Sequence, residues 1–199
     1  MPEIDFWYSI GSTYSFLSIM RLPDLASESD VSVRWRPFNV RTVMTEQNNI
    51  PFAGKPAKSA YMWRDIERRA AKYGIHANLP APYPISDLAL ANQVALLGMG
   101  AGWGELFTRN LYRIWFEDGV EAGSETALSE ALHRTEQDPL PVLTRAREPE
   151  AVRALEEETR AAVAAGVFGA PSFVVNGELF WGDDRLEDAL SWAKVGHVV

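Results

Sequence analysis

The sequence contains no cysteine. That absence excludes disulfide staples, thiolate metal ligation and dithiol exchange by the chain's own side chains. Histidine is scarce, and His76, His133 and His197 stand apart from one another at no spacing that gathers a metal ion, so no metal site is expected. No apolar run reaches the roughly 18 residues of a membrane helix. No basic leader with an apolar stretch opens the chain, so a cytoplasmic location without a membrane partner is expected. Positive charge is in deficit, with 19 Lys and Arg against 27 Asp and Glu and a formal charge of −8. Such a balance repels phosphate backbones, and nucleic acid is not an expected partner. The acidic residues are spread along helical stretches such as 147–160, which suits solubility.

What is present is an ordinary globular composition, 47% hydrophobic and 23% charged over 199 residues. The length suits one domain, or a compact domain carrying an insert. Seven Trp and nine Phe raise the aromatic share to 11%, which fits either a large core or an apolar cleft.

Residues 3–10 alternate Ile4, Phe6 and Tyr8 against Asp5, Trp7 and Ser9, the pattern of a strand covered on both faces. Gly11 breaks it, and Ser12 and Thr13 are good caps for a helix running to about Ala26. A second strand is expected from Val31 to Arg36, ended by Pro37. About twenty residues lie between these strands, too many for a hairpin and enough for a right-handed parallel crossover.

Residues 38–165 read as helical throughout, broken at 48–56, 74–87, 98–104, 119–124 and 138–141. The clearest helix runs from Ala57 to Tyr73, with Met62, Trp63, Ile66, Ala70 and Tyr73 on one stripe, Lys58, Tyr61 and Asp65 on another face, and Gly74 as its stop. Ser172–Val175 and Glu178–Trp181 then flank Asn176-Gly177, a strong hairpin signal. A last helix is expected over 184–195, with Asp183 and Asp184 in capping position. The order β-α-β, helical block, β-β-α defines an α/β, thioredoxin-like fold with a large all-helical insertion: residues 1–38 and 166–199 form the thioredoxin-like domain and 39–165 the inserted one. The insertion should cover one edge and leave a cleft against the sheet.

Three places could carry chemistry. In this topology the first strand delivers Ser12 to the mouth of the first helix, where free backbone N–H groups and the helix dipole favour negative charge. Serine cannot be oxidised, and without a neighbouring base it is a poor nucleophile, but its hydroxyl can donate to a thiolate carried by a ligand. Helix capping is the competing reading. Ala170-Pro171 opens the third strand, either as an edge start or as a cis turn that offers backbone groups to a ligand. Asp183 and Asp184, beside backbone amides, could bind an α-amino group or simply cap the last helix.

Taken together, these segments resemble the 2-hydroxychromene-2-carboxylate isomerases and the related kappa-class glutathione transferases, over nearly the whole chain. Ser12-Thr13-Tyr14-Ser15 is similar to that family's Ser-Pro-Tyr/Phe-Ser. Arg36-Pro37-Phe38 followed by Asn49-x-Pro51, Pro56-Ala57-Lys58 with Tyr61-Met62 and Arg64-Asp65, Gly166 through Pro171, and Trp181-Gly182-Asp183-Asp184-Arg185-Leu186 resemble its later motifs. Thr13 replaces the usual Pro, Ser9 stands where an Asp often ends the strand, residues 39–45 lack the common Gly and Lys, and 84–87 lack the common Asn. Most of those departures border the second substrate.

The resemblance implies a DsbA-like thioredoxin fold, a homodimer, and glutathione as cofactor with its sulfur near Ser12. It places the cysteinyl backbone on Ala170 beside Pro171, the γ-glutamyl end at Asp183 and Asp184, and Asn49 and Lys58 along the same cleft. It also implies a reaction, cis-trans isomerisation of an aromatic acid by reversible addition of the glutathione thiolate, with Ser12 as the catalytic residue. A transferase that conjugates electrophiles and a non-catalytic glutathione- or peptide-binding protein of the same fold are the alternatives.

Overall fold

A computed structural model describes residues 1–50, 52 and 54–198. Strand β1 runs from Glu3 to Tyr8. Its alternation works on two fronts, because Phe6, Trp7 and Tyr8 are all essentially inaccessible. Phe6 and Tyr8 pack with Trp35 and Phe173 on one face, and the Tyr8 hydroxyl lies 2.8 Å from that of Thr108. On the other face the Arg36 guanidinium stacks over Trp7 at 4.0 Å and grips both carboxylate oxygens of Glu158, at 2.6 and 3.0 Å.

Helix α1 (Ser15–Ser29) leads to β2 (Ser32–Pro37), which pairs parallel with β1, Phe6 opposite Trp35. The chain then forms α2 (Val40–Glu46), α3 (Pro56–Tyr73), α4 (Leu88–Ala101), α5 (Gly104–Phe116), α6 (Glu125–His133), α7 (Pro139–Ala146) and α8 (Pro149–Ala164). It returns to the sheet through β3 (Ser172–Val175) and β4 (Glu178–Trp181), a 3-10 turn at Asp183–Arg185 and α9 (Leu186–Val195). The sheet order is β2-β1-β3-β4, with β3 antiparallel to both its neighbours. The expected fold class is therefore present: the four strands lie within 1–38 and 166–199, and α2 to α8 lie within 39–165. Asn176 and Gly177 take φ of 51° and 85°, as a tight two-residue hairpin turn requires. Among the described residues no helix is long and apolar enough to cross a membrane.

The differences from the sequence reading have local causes. β1 stops at Tyr8, two residues early, because Ser9 and Ile10 spend their backbone groups elsewhere: the buried Asn92 amide takes both Ile10 N–H (2.9 Å) and Ile10 C=O (3.0 Å). α1 begins at Ser15, not at Ser12 or Thr13, and no side chain caps it. Its far end reaches Ser29, past the expected Ala26, before Asp30 closes it with φ 55°. Residues 138–141, read as a break, open α7 instead; Asp138 accepts from Leu140 N–H at 3.1 Å, with Pro139 at the first helical position. The aspartates at 183 and 184 form a 3-10 turn without a side-chain cap, which corrects the capping expectation for the last helix.

Candidate functional site at the mouth of the first helix

The turn Ser9-Ile10-Gly11-Ser12 lies at the carboxyl end of β1, where ligands of parallel strand pairs collect. It is held by backbone and side chain together. Ser12 N–H donates to Ser9 C=O at 2.9 Å, and the buried Tyr112 hydroxyl sits 2.9 Å from Ser9 C=O and 3.0 Å from Ser12 C=O. Burial drives the Tyr112 pKa far up, so the phenol stays a donor at any working pH. Gly11 has φ +117°, and a Cβ there would stand 2.6 Å from Leu88 Cδ1, so glycine serves both the turn and the close approach of α4.

Ser12 is half-buried, and its hydroxyl donates to Ala170 C=O at 2.9 Å, 158 residues away. The Ala170-Pro171 bond is cis. Two of the sequence's candidate features therefore meet in space. Capping does not explain Ser12, since α1 starts three residues later and Thr13 turns its hydroxyl to Met62 Sδ at 3.0 Å. Among the described residues no acid or base side chain hydrogen-bonds Ser12, which leaves it an unactivated hydroxyl beside a helix N-terminus.

The third feature joins through the backbone, because Gly182 N–H donates to Pro171 C=O at 2.9 Å. Its two carboxylates have separate fates. Asp183 is 2% exposed and accepts from Arg21 at 2.9 Å and Ser18 at 3.0 Å, with Arg69 at 3.8 Å. Burial raises its pKa, opposed by Arg21, Ser18 and Arg69. Asp184 is exposed and pairs with Arg185 at 3.2 Å.

Asn49 and Lys58 are exposed. Neither hydrogen-bonds Ser12 or Ala170 among the described residues, and Lys58 Nζ sits 5.7 Å from the centre of the Phe52 ring. Pro51, quoted with Asn49 as part of one motif, lies outside the described residues. The face of α3 carrying Lys58, Tyr61 and Asp65 does adjoin the mouth, since Tyr14 donates its hydroxyl to Asp65 at 3.1 Å. Burial and the Asp65 charge push the Tyr14 pKa up, so it too remains protonated.

Sequence reasoning missed several neighbours. Asp65 accepts from Arg69 at 3.1 Å, and Arg69 reaches Asp183, so a polar chain runs from Tyr14, just ahead of α1, through α3 to the 3-10 turn. The i, i+4 spacing of Asp65 and Arg69 was a usable signal for its first link. Phe52 and Trp63 both meet Tyr83 edge-on, with centroids 6.3 and 6.1 Å away, and Trp63 reaches Phe116, which stacks on Phe16 of α1 at 4.1 Å. The segments 39–45 and 84–87 face one another across a cavity of about 440 Å³ lined by Arg41, Thr45, Ser86 and Leu88, the same Leu88 that touches Gly11.

A thioredoxin sheet with a helical insertion, and a serine facing a cis-proline loop, define the DsbA-like thioredoxin class, whose domain family matches residues 3–191. The 2-hydroxychromene-2-carboxylate isomerase of Sphingobium xenophagum is 30% identical over 187 residues, 92% of this chain and 94% of that protein. Glutathione S-transferase kappa 1 of Caenorhabditis elegans is 26% identical over 206 residues, 93% and 88% of the two chains. A solved structure of 2-hydroxychromene-2-carboxylate isomerase superposes with a TM-score of 0.82 at 22% identity, covering 92% of this chain and 90% of its own. The chain thus belongs to the DsbA-like thioredoxin family, and within it to the 2-hydroxychromene-2-carboxylate isomerases.

Proposed function

We propose that this chain is a glutathione-dependent cis-trans isomerase of an aromatic acid of the 2-hydroxychromene-2-carboxylate type. The observation that carries the reading is the pairing of Ser12 with Ala170 of the cis-proline loop in a chain that has no thiol. The donor set fits a peptide-like thiol: a hydroxyl and helix N-terminus for the sulfur, loop backbone for the cysteinyl unit, and charged side chains for its two ends.

In this reading Ser12 rotates its hydroxyl from Ala170 C=O to the sulfur. It gives up one hydrogen bond worth about 1 kcal/mol for a charge-assisted one worth about 1.5–3 kcal/mol. The N-terminus of α1 holds the same negative charge. Ala170 pairs with the cysteinyl backbone beside Pro171. Asn49 and the Lys58 ammonium, which has no ion-pair partner among the described residues, take the glycyl carboxylate. Asp184 meets the γ-glutamyl ammonium, while Asp183, engaged by Arg21, locks the turn that presents Asp184. When bound, glutathione supplies a thiolate that adds to the conjugated acid and leaves again once the bond has turned. Phe52, Trp63 and Tyr83 offer the substrate ring an apolar, edge-rich wall.

The match to a kappa-class transferase supports a second reading, conjugation of electrophiles. Proton NMR of the aromatic acid with glutathione separates the two. A constant free-thiol pool with interconverting isomers supports isomerisation, and an accumulating thioether supports transfer. Ser12→Ala should lower kcat/KM at saturating glutathione at least tenfold, and unchanged turnover overturns the role given to Ser12. Calorimetric binding of glutathione without turnover of any aromatic electrophile would leave only a binding protein.

A further inference from the structure

From Ser12 to Ser18, on α1 and just ahead of it, the chain carries five hydroxyls, and four are engaged. Ser12 donates to Ala170 C=O, Thr13 to Met62 Sδ, Tyr14 to Asp65 and Ser18 to Asp183. Ser15 is the exception. It is 0% exposed, yet its Oγ has no hydrogen-bond partner among the described residues. A helical serine can answer such burial by donating to the C=O four residues back, here that of Gly11, and this one does not. Ser15 adjoins the Tyr112 hydroxyl. No hydrogen bond joins the two, and the single phenol proton is directed at Ser9 C=O and Ser12 C=O. The same phenol thus touches the Ser12 backbone and the Ser15 side chain, which lie about one helical turn apart. A buried hydroxyl without a partner is costly, and the cost is recovered only in a state that supplies one. The Ser12 oxygen is free to do so, since it donates to Ala170 and accepts from no described residue.

We infer that Ser15 is a positioning residue for Ser12: when the Ser12 hydroxyl turns from Ala170 to a bound sulfur, its oxygen accepts a hydrogen bond from Ser15. The inference rests on the reading of Ser12 as the donor to a ligand thiolate. Ser15, being buried, touches no ligand itself. No proton changes hands. Ser15 O–H donates to the Ser12 oxygen and Ser12 O–H to the sulfur, and each bond polarises the next, so the negative charge is held more firmly than by Ser12 alone. The hydroxyl that is orphaned in the free chain is satisfied in the complex.

Glutathione bound to the full chain is the probe, its thiolate followed by ultraviolet absorbance against pH; a chain without cysteine adds no thiolate of its own. Ser15→Ala should raise the pH at which the bound thiol ionises by about 0.7, the worth of one neutral hydrogen bond made only in the complex. In a Ser12→Ala background the same change should add nothing, because the route from Ser15 to the sulfur is gone. Calorimetry gives a second readout. Ser15→Ala should keep or raise the Tm of the free chain, since the lost hydroxyl had no partner there. Unchanged ionisation in Ser15→Ala, an equal shift in both backgrounds, or a clear fall in Tm overturns the inference. A parent chain in which the glutathione thiol ionises as it does in water overturns the thiol reading itself, and this role for Ser15 with it.

Discussion

Replacing Asp183 by alanine removes the carboxylate on which three segments converge: Ser18 and Arg21 of α1, Arg69 of α3 and the 3-10 turn itself. The Arg21 side chain is only 9% exposed. It would keep a stack over the Tyr73 ring at 3.7 Å and a bond to Glu187, whose side chain is 53% exposed. Stripping one partner from a buried pair costs about 3–5 kcal/mol, because the other charge is left in a poorly solvated place. The surviving Glu187 contact puts the loss at the lower end, about 3 kcal/mol. A chain of this length unfolds with an entropy near 0.4 kcal/mol/K, so Tm should fall by about 7 °C. Asp184→Ala is the internal control: Asp184 and its partner Arg185 are about half exposed, and such pairs are worth no more than about 1 kcal/mol. Urea unfolding at pH 7, followed by tryptophan fluorescence and by calorimetry, measures both variants. A loss under about 1 kcal/mol for Asp183→Ala, or an equal loss for Asp184→Ala, would falsify the view that Asp183 anchors the turn and Asp184 faces the ligand.

The pH dependence carries a sign. Because burial raises the Asp183 pKa above its ordinary 3.8, the unfolded chain loses that proton first as pH climbs. The contribution of this group to stability therefore falls between 3.8 and the raised value. Asp183→Asn should flatten that part of the stability profile, measured as urea midpoints against pH; an unchanged slope would show that another group sets it. Asn92→Leu leaves Ile10 N–H and C=O unpaired beneath the mouth, for a loss of about 3 kcal/mol in urea unfolding. A change below about 1 kcal/mol would mean that the mouth does not depend on Asn92. Ser12→Ala should leave stability within about 1.5 kcal/mol, since one half-buried neutral hydrogen bond is lost. Any larger loss by calorimetry would make the expected fall in kcat/KM structural and not chemical.

The element order was legible because it rests on short-range patterns. Alternation marked β1, the Met62-Ile66-Ala70 stripe and Gly74 marked α3, and Asn176-Gly177 marked the hairpin. Each is a preference of φ and ψ or of one face, decided within a few residues. The overlooked α7 was of the same kind, since Asp138-Pro139 is as good a helix opening as Glu148-Pro149.

The candidate site was legible only as a set of residue types. Serine at a helix mouth, proline at a strand start and paired aspartates are visible in the chain, and so is the lack of cysteine that removes the redox reading. Their partners are not, because Ser12 to Ala170, Tyr112 to Ser12 and Arg21 to Asp183 are closures across 158, 100 and 162 residues. No local preference encodes such contacts; they exist only once the sheet and the inserted helices have packed. The sequence alone thus determined the strands and most of the helices, and excluded thiol chemistry by the chain itself. Tertiary structure decided that Ser12 faces the cis-proline loop instead of capping its helix, and that of two adjacent aspartates one is sealed among arginines while the other remains open to solvent.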